Sequence, residues 1–130
     1  MADELFNAAR AVMASAHAPY SGFPVGAAIR STSGAIHACC NVENASYPEG
    51  WCAETSAIAA MVAAGETAIA EIAVVAQRMA LATPCGGCRQ RLAEFAGPDA
   101  KVHLCDSAGI VETVTLGELL PRAFVLESRS

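Results

Sequence analysis

The stretch Val25-Gly26-Ala27-Ala28-Ile29-Arg30-Ser31-Thr32-Ser33-Gly34-Ala35-Ile36-His37-Ala38-Cys39-Cys40-Asn41 reads as a β-hairpin. Its two arms, 25–31 and 36–41, are rich in Val, Ile, Ala and Cys, and they flank Thr32-Ser33-Gly34, where the glycine lets the chain turn. Working outward, residues 3–17 read as a helix ended by Ala18-Pro19-Tyr20-Ser21-Gly22. Residues 52–64 carry no helix breaker, meet Gly65 at the C′ position and are small or apolar almost all round, the pattern of a helix packed on both sides. Residues 69–76 are strand-like by β-branched content, 85–95 form a helix stopped by Gly97-Pro98, 101–105 and 110–115 are short strands, and 116–120 a last short helix. A hairpin followed by alternating helices and strands predicts an α/β fold, a three-layer α/β/α sandwich on a mixed sheet of about five strands.

A chain of 130 residues, 54% of them hydrophobic, has the apolar surface for one core, so a single domain spanning 1–130 is expected. No apolar run approaches the roughly 20 residues that cross a bilayer. The start Met1-Ala2-Asp3-Glu4-Leu5-Phe6 lacks the basic and apolar regions of a signal peptide, which predicts a cytoplasmic protein with no membrane partner. In a reducing compartment the six cysteines read as metal ligands or buried thiols rather than disulfides. A formal charge of −5, with eight Lys and Arg that nowhere form a run, argues against nucleic acid, whose binding needs cations to neutralise phosphates. A small neutral substrate suits this surface better.

Two short segments carry the chemistry: Cys52-Ala53-Glu54 and Pro84-Cys85-Gly86-Gly87-Cys88. Cys85 and Cys88, three apart at a helix start, share one face and can grip one ion, while Cys52 opens the other helix. Helix N-termini carry partial positive charge, which stabilises thiolate. A soft set of three thiolates selects zinc and leaves a fourth position for water. Glu54, two residues after Cys52, can reach that position without being a ligand and work as general acid and base. Plainer readings stand beside these. A first-turn glutamate often only balances the helix dipole, and C-x-x-C is also a redox or structural-zinc motif. The third cysteine, in the same helix-start context, weakens the redox reading. A closed structural site would draw its fourth ligand from Cys39, Cys40, Cys105 or His103; of the two zinc readings the open, catalytic one is favoured.

Cys52-Ala53-Glu54 with Pro84-Cys85-Gly86-Gly87-Cys88-Arg89-Gln90 resembles the C-x-E and P-C-x-x-C signature of the zinc-dependent nucleoside deaminases. The resemblance runs from Tyr20 to Phe124 and is nearest to the small homotetrameric cytidine deaminases. It includes Pro19-Tyr20-Ser21-Gly22-Phe23-Pro24-Val25-Gly26-Ala27-Ala28, Cys40-Asn41-Val42-Glu43-Asn44-Ala45-Ser46-Tyr47 and Glu118-Leu119-Leu120-Pro121-Arg122-Ala123-Phe124. It implies one zinc per chain held by Cys52, Cys85 and Cys88, and Glu54 as the proton shuttle between water, N3 of the cytosine and the departing amine. It further implies that Asn41 and Glu43 bind the ribose hydroxyls, that Phe23 lines the pyrimidine pocket, and that Ala53 offers backbone groups to the base. Ala45, Tyr47 and Phe124 would come from a neighbouring subunit of a homotetramer.

One departure stands out. Many such relatives have an arginine after the catalytic glutamate, which offsets the thiolate charge, and this chain has Thr55. Three thiolates on Zn²⁺ leave one net negative charge, so helix N-termini, the Thr55 hydroxyl or Arg89 beside Cys88 are the expected compensators. Cys39, Cys40 and Cys105 read as small buried hydrophobes on strands, and His17, His37 and His103 show no ligand spacing.

The leading expectation is hydrolysis of cytidine and deoxycytidine to the uridine forms, with pyrimidine salvage as the setting the resemblance implies. The nearest rival is a deaminase of a modified nucleoside, of the blasticidin type, which also lacks that arginine; Asn41 and Glu43 favour an ordinary ribose. An editing enzyme is disfavoured by the acidic surface and the lack of a basic or aromatic-rich strand-binding stretch. A non-enzymatic zinc-binding interaction module is the alternative from a different class.

Overall fold

The structure is a computed structural model and describes residues 2–78 and 81–126. In chain order the elements are α1 (Ala2–Met13), β1 (Val25–Ser31), β2 (Ile36–Cys40), a single 3₁₀ turn (Tyr47–Glu49), α2 (Ala53–Ala63), β3 (Ile69–Ala76), α3 (Gly86–Phe95), β4 (Lys101–Asp106), β5 (Gly109–Thr115) and α4 (Leu116–Leu119). The hairpin forms as read: Gly26 lies opposite Cys40 and Arg30 opposite Ile36, and Gly34 takes φ 97°, a conformation that costs side chains other than hydrogen dearly. β1 also pairs antiparallel with β3, β3 runs parallel to β4, and β4 pairs antiparallel with β5. The result is one mixed five-stranded sheet in the order β2-β1-β3-β4-β5.

Alternation along the strands builds two cores, because successive side chains leave opposite faces of a sheet. Ala27 and Ile29, Ile72 and Val74, and Val102 and Leu104 point to one face, where they meet Ala53, Ala57, Ile58 and Met61 of α2 and Leu92 of α3. Ala28, Ala73, Val75 and Cys105 point to the other, where they meet Leu5, Phe6 and Ala9 of α1. Helices on both faces explain why β3 is apolar at nearly every position. α1 sits unusually close to the sheet, since a Cβ added at Gly26 would lie 2.0 Å from the Ala9 carbonyl oxygen.

Two expectations need correction. α1 ends at Met13 rather than at residue 17. The stretch that follows holds no breaker, but tertiary pairing captures it: His17 N–H donates to Asn41 O at 3.0 Å, and Glu43 N–H donates to His17 O at 2.8 Å. α2 is packed on one side only within the chain, for Ala59, Val62 and Ala63 are exposed. Other boundaries agree within a residue, with Cys52 and Cys85 standing just outside their helices as N-caps.

Candidate active site

α2 and α3 flank β3 in sequence and lie on the same face of the sheet. Their N-termini meet beside the carboxyl end of β3, where Ala76 is in register with Val25 at the start of β1. Ligand sites in α/β proteins favour such a crevice. A pocket of about 180 Å³ opens there, with Phe23, Val25, Val74 and Ala82 as apolar walls and Cys52, Glu54 and Cys85 at one side.

The sulfurs of Cys52, Cys85 and Cys88 all lie within 4.8 Å of one another, and those of Cys52 and Cys85 are 3.9 Å apart. A tetrahedral zinc with bonds of about 2.3 Å requires sulfurs about 3.8 Å apart, so the donor set fits that ion. Thiol chemistry points the same way. The proximity of Cys52 and Cys88 lowers the Cys52 thiol and, with burial, raises that of Cys88. Three thiolates this close repel one another unless a cation joins them.

Glu54 is 4% exposed in the first turn of α2. Burial raises its carboxyl above the ordinary range, while a hydrogen bond from Cys88 and the charge of Arg91 act in the opposite direction. A carboxyl group so placed exchanges protons more readily near neutrality than an exposed one.

The remaining expected residues divide between two places. Phe23, Asn41 and Ala53 line the same pocket as Glu54. Asn41, 8% exposed, uses its amide to hold the backbone: Oδ1 accepts from Val25 N–H at 2.9 Å, and Nδ2 donates to Phe23 O at 3.0 Å. Glu43 and Tyr47 line a second, wider cavity of about 400 Å³ with Tyr20 and Ser21. There the Ser21 hydroxyl and the backbone N–H groups of Tyr20 and Ser21 donate to Glu43 and hold its carboxyl below the usual range. Ala45 is exposed, Tyr47 is 75% exposed and Phe124 is 70% exposed, and none of the three lines the pocket beside Glu54.

The charge compensators also sort themselves. Thr55 Oγ1 lies 3.6 Å from the Cys88 sulfur, as expected. Arg89 turns away: its Nε donates to Pro84 O at 2.8 Å and an Nη to Leu119 O at 2.9 Å. The guanidinium that faces the cluster belongs to Arg91, unnamed in the sequence reading, with Nη1 3.9 Å from the Cys88 sulfur. Its signal in the sequence was the three-residue spacing from Cys88 on a helix. Cys105 is buried and Cys39 and Cys40 half-buried, none of them in the cluster. His37 instead bonds Glu66 at 3.0 Å, and His103 bonds Glu71 at 2.7 Å and Thr113 at 2.9 Å.

The geometry defines a class first: α/β/α proteins whose paired helix starts present thiols to one ion with a buried acid in reach. The chain belongs to the cytidine and deoxycytidylate deaminase family, whose zinc-binding region matches residues 1–104. It is 42% identical over 115 residues to a cytidine deaminase of Sporosarcina psychrophila, covering 88% of this chain and 85% of that one. Among solved structures, it resembles the cytidine deaminase of Burkholderia pseudomallei with a TM-score of 0.88 and 43% identity, covering 93% of this chain and 97% of that one. The cytidine deaminase of Mycobacterium tuberculosis gives a TM-score of 0.85 at 36% identity over 95% of this chain and 96% of that one. Zinc is the cofactor of the matched region, and no helix among the described residues is long and apolar enough to cross a membrane.

Proposed function

We propose that the protein is a cytidine deaminase: it replaces the exocyclic amine of cytidine, and of 2′-deoxycytidine, by oxygen from water and releases ammonia. The observation that carries this is a buried carboxyl group, Glu54, beside three converging thiols on the wall of a small apolar pocket. Cys52, Cys85 and Cys88 would hold zinc, which, when bound, supplies Lewis acidity to the water that attacks C4. Glu54 takes a proton from that water and gives it to N3 of the ring, then takes the remaining proton of the new C4 hydroxyl and gives it to the amine nitrogen on C4, which departs as ammonia and leaves the C4 carbonyl. Atoms balance: cytidine and water become uridine and ammonia. Phe23 offers a flat apolar wall to the ring, and the walls around Glu54 keep bulk water from competing for its proton.

Ribose contacts belong to Asn41 and Glu43. Each has capacity left after its bonds to the backbone, since an amide and a carboxylate can serve further partners. Ala53 serves the base through its backbone. Ala45, Tyr47 and Phe124, exposed and outside their own chain's pocket, complete the site of a neighbour in a homotetramer. The open apolar side of α2, with Ala59, Val62 and Ala63, supports assembly, as a helix apolar all round expects cover on both sides. Pyrimidine salvage in the cytoplasm is the setting that fits.

The test is ammonia release from cytidine by wild type and Glu54→Ala, with zinc counted in both. Turnover by wild type alone, with equal zinc, supports the reading. Equal turnover by both, or none by zinc-loaded wild type, refutes it.

A further inference from the structure

The thiol cluster takes its compensating charge from an unexpected side. Arg91 Nη1 stands 3.9 Å from the Cys88 sulfur. Its guanidinium lies against Gly87, where an added Cβ would be 3.2 Å from Nη1 and 3.8 Å from Cζ. Arg91 follows Cys88 by three on α3, the spacing that brings two side chains to one helix face. The three expected compensators do not supply a full charge: Thr55 is neutral, Arg89 is committed to the carbonyls of Pro84 and Leu119, and the helix N-termini at Cys52 and Cys85 offer only partial positive charge.

Charge counting says what a cation here does. Three neutral thiols that release three protons and take up one divalent ion end with one net negative charge. A guanidinium beside them favours the loaded cluster over the empty one. We propose that Arg91 is a positioning residue for the reaction, offsetting the thiolate charge from α3 and so holding the metal where an arginine at position 55 would otherwise act from α2. This rests on the deaminase reading of the cluster.

Arg91 is exposed while its neighbour Leu92 carries the burial, so substitution spares the core. The experiment measures zinc affinity at neutral pH by competition with a chromophoric chelator, alongside kcat and KM for cytidine. Arg91→Met should hold zinc about 10- to 100-fold more weakly than wild type, the usual loss for a partner just outside the ligands. Arg91→Lys, which keeps the charge, and the double variant Arg91→Met with Thr55→Arg, which restores it from α2, should recover most of the affinity. Wild-type affinity in Arg91→Met, or a double variant as weak as Arg91→Met, overturns the proposal. Wild type that binds zinc yet releases no ammonia from cytidine sinks the deaminase reading instead, while the affinity series still judges Arg91.

Discussion

Replacing Gly26 by alanine would unseat α1. The added Cβ would meet the Ala9 carbonyl oxygen at 2.0 Å and Met13 Cβ at 3.0 Å, where ordinary contact begins near 3.4 Å. The helix must therefore withdraw by about 1.4 Å along that contact, pulling Leu5, Phe6 and Ala9 away from Ala28, Ala73 and Val75. Trimming a neighbour does not help, because the blocking atom is backbone and Ala9→Gly leaves it in place. Overpacking costs about 1–3 kcal/mol, and a clash of this depth with backbone belongs at the top, about 3 kcal/mol. With about 2.1 cal/mol/K of unfolding entropy per residue, a chain of 130 residues then loses about 11 °C in Tm. Thermal melts of the zinc-loaded protein measure this directly. The pocket lies on the opposite face of the sheet from α1, so kcat in the cold should stay close to wild type. A drop below about 4 °C, or recovery of stability by adding Ala9→Gly, would show that the close approach at Gly26 does not set the position of α1.

Asn41→Ala leaves Val25 N–H and Phe23 O without their side-chain partner, which should cost about 2–4 kcal/mol and raise KM for cytidine; a variant as stable as wild type in urea would count against the bridging role. Glu66, bonded by Ser33, His37 and Ser31, is held at about 2, against an ordinary 4.5, so the stability it gives is full above 4.5 and fades as pH falls toward 2. The stability gap between wild type and Glu66→Gln should accordingly close over that window, and a gap independent of pH would contradict it. Removing zinc should expose Cys85 to iodoacetamide before Cys88 and leave Cys105 unlabelled, since the first is exposed and the other two buried; peptide mass mapping reads the order, and early labelling of Cys105 would be the wrong result.

Much of the fold was legible because local and global signals agreed. The hairpin arms and β3 have β-branched residues bounded by turn residues, and the 25–31 and 69–76 bounds match the structure. The C-terminus of α1 was not legible, because only pairing with a segment two dozen residues away draws His17 out of a helix-compatible run. The thiol cluster could be read from spacing, as two helix starts and a C-x-x-C leave few arrangements. Arg91 carried a fainter signal, its three-residue spacing from Cys88, and only the structure shows that α3 turns it toward the sulfur while Arg89 is drawn off to the Pro84 and Leu119 carbonyls. The backbone bridge made by Asn41 was hidden too, for nothing in its sequence neighbourhood announces that its amide ties Phe23 to Val25.

Cys52 and Cys85 stand at N-cap positions, and neither side chain makes a capping bond. Serine or aspartate there would tie down a loose N–H and steady its helix by about 1 kcal/mol. Thr115, which opens α4 with a full capping box, shows that the chain uses the device where it is free to. At the two helix starts that carry the thiol cluster, it has forgone that anchorage. Substitutions that make these helices start more firmly would thus come at the expense of turnover, so selection for heat resistance alone would erode this site first.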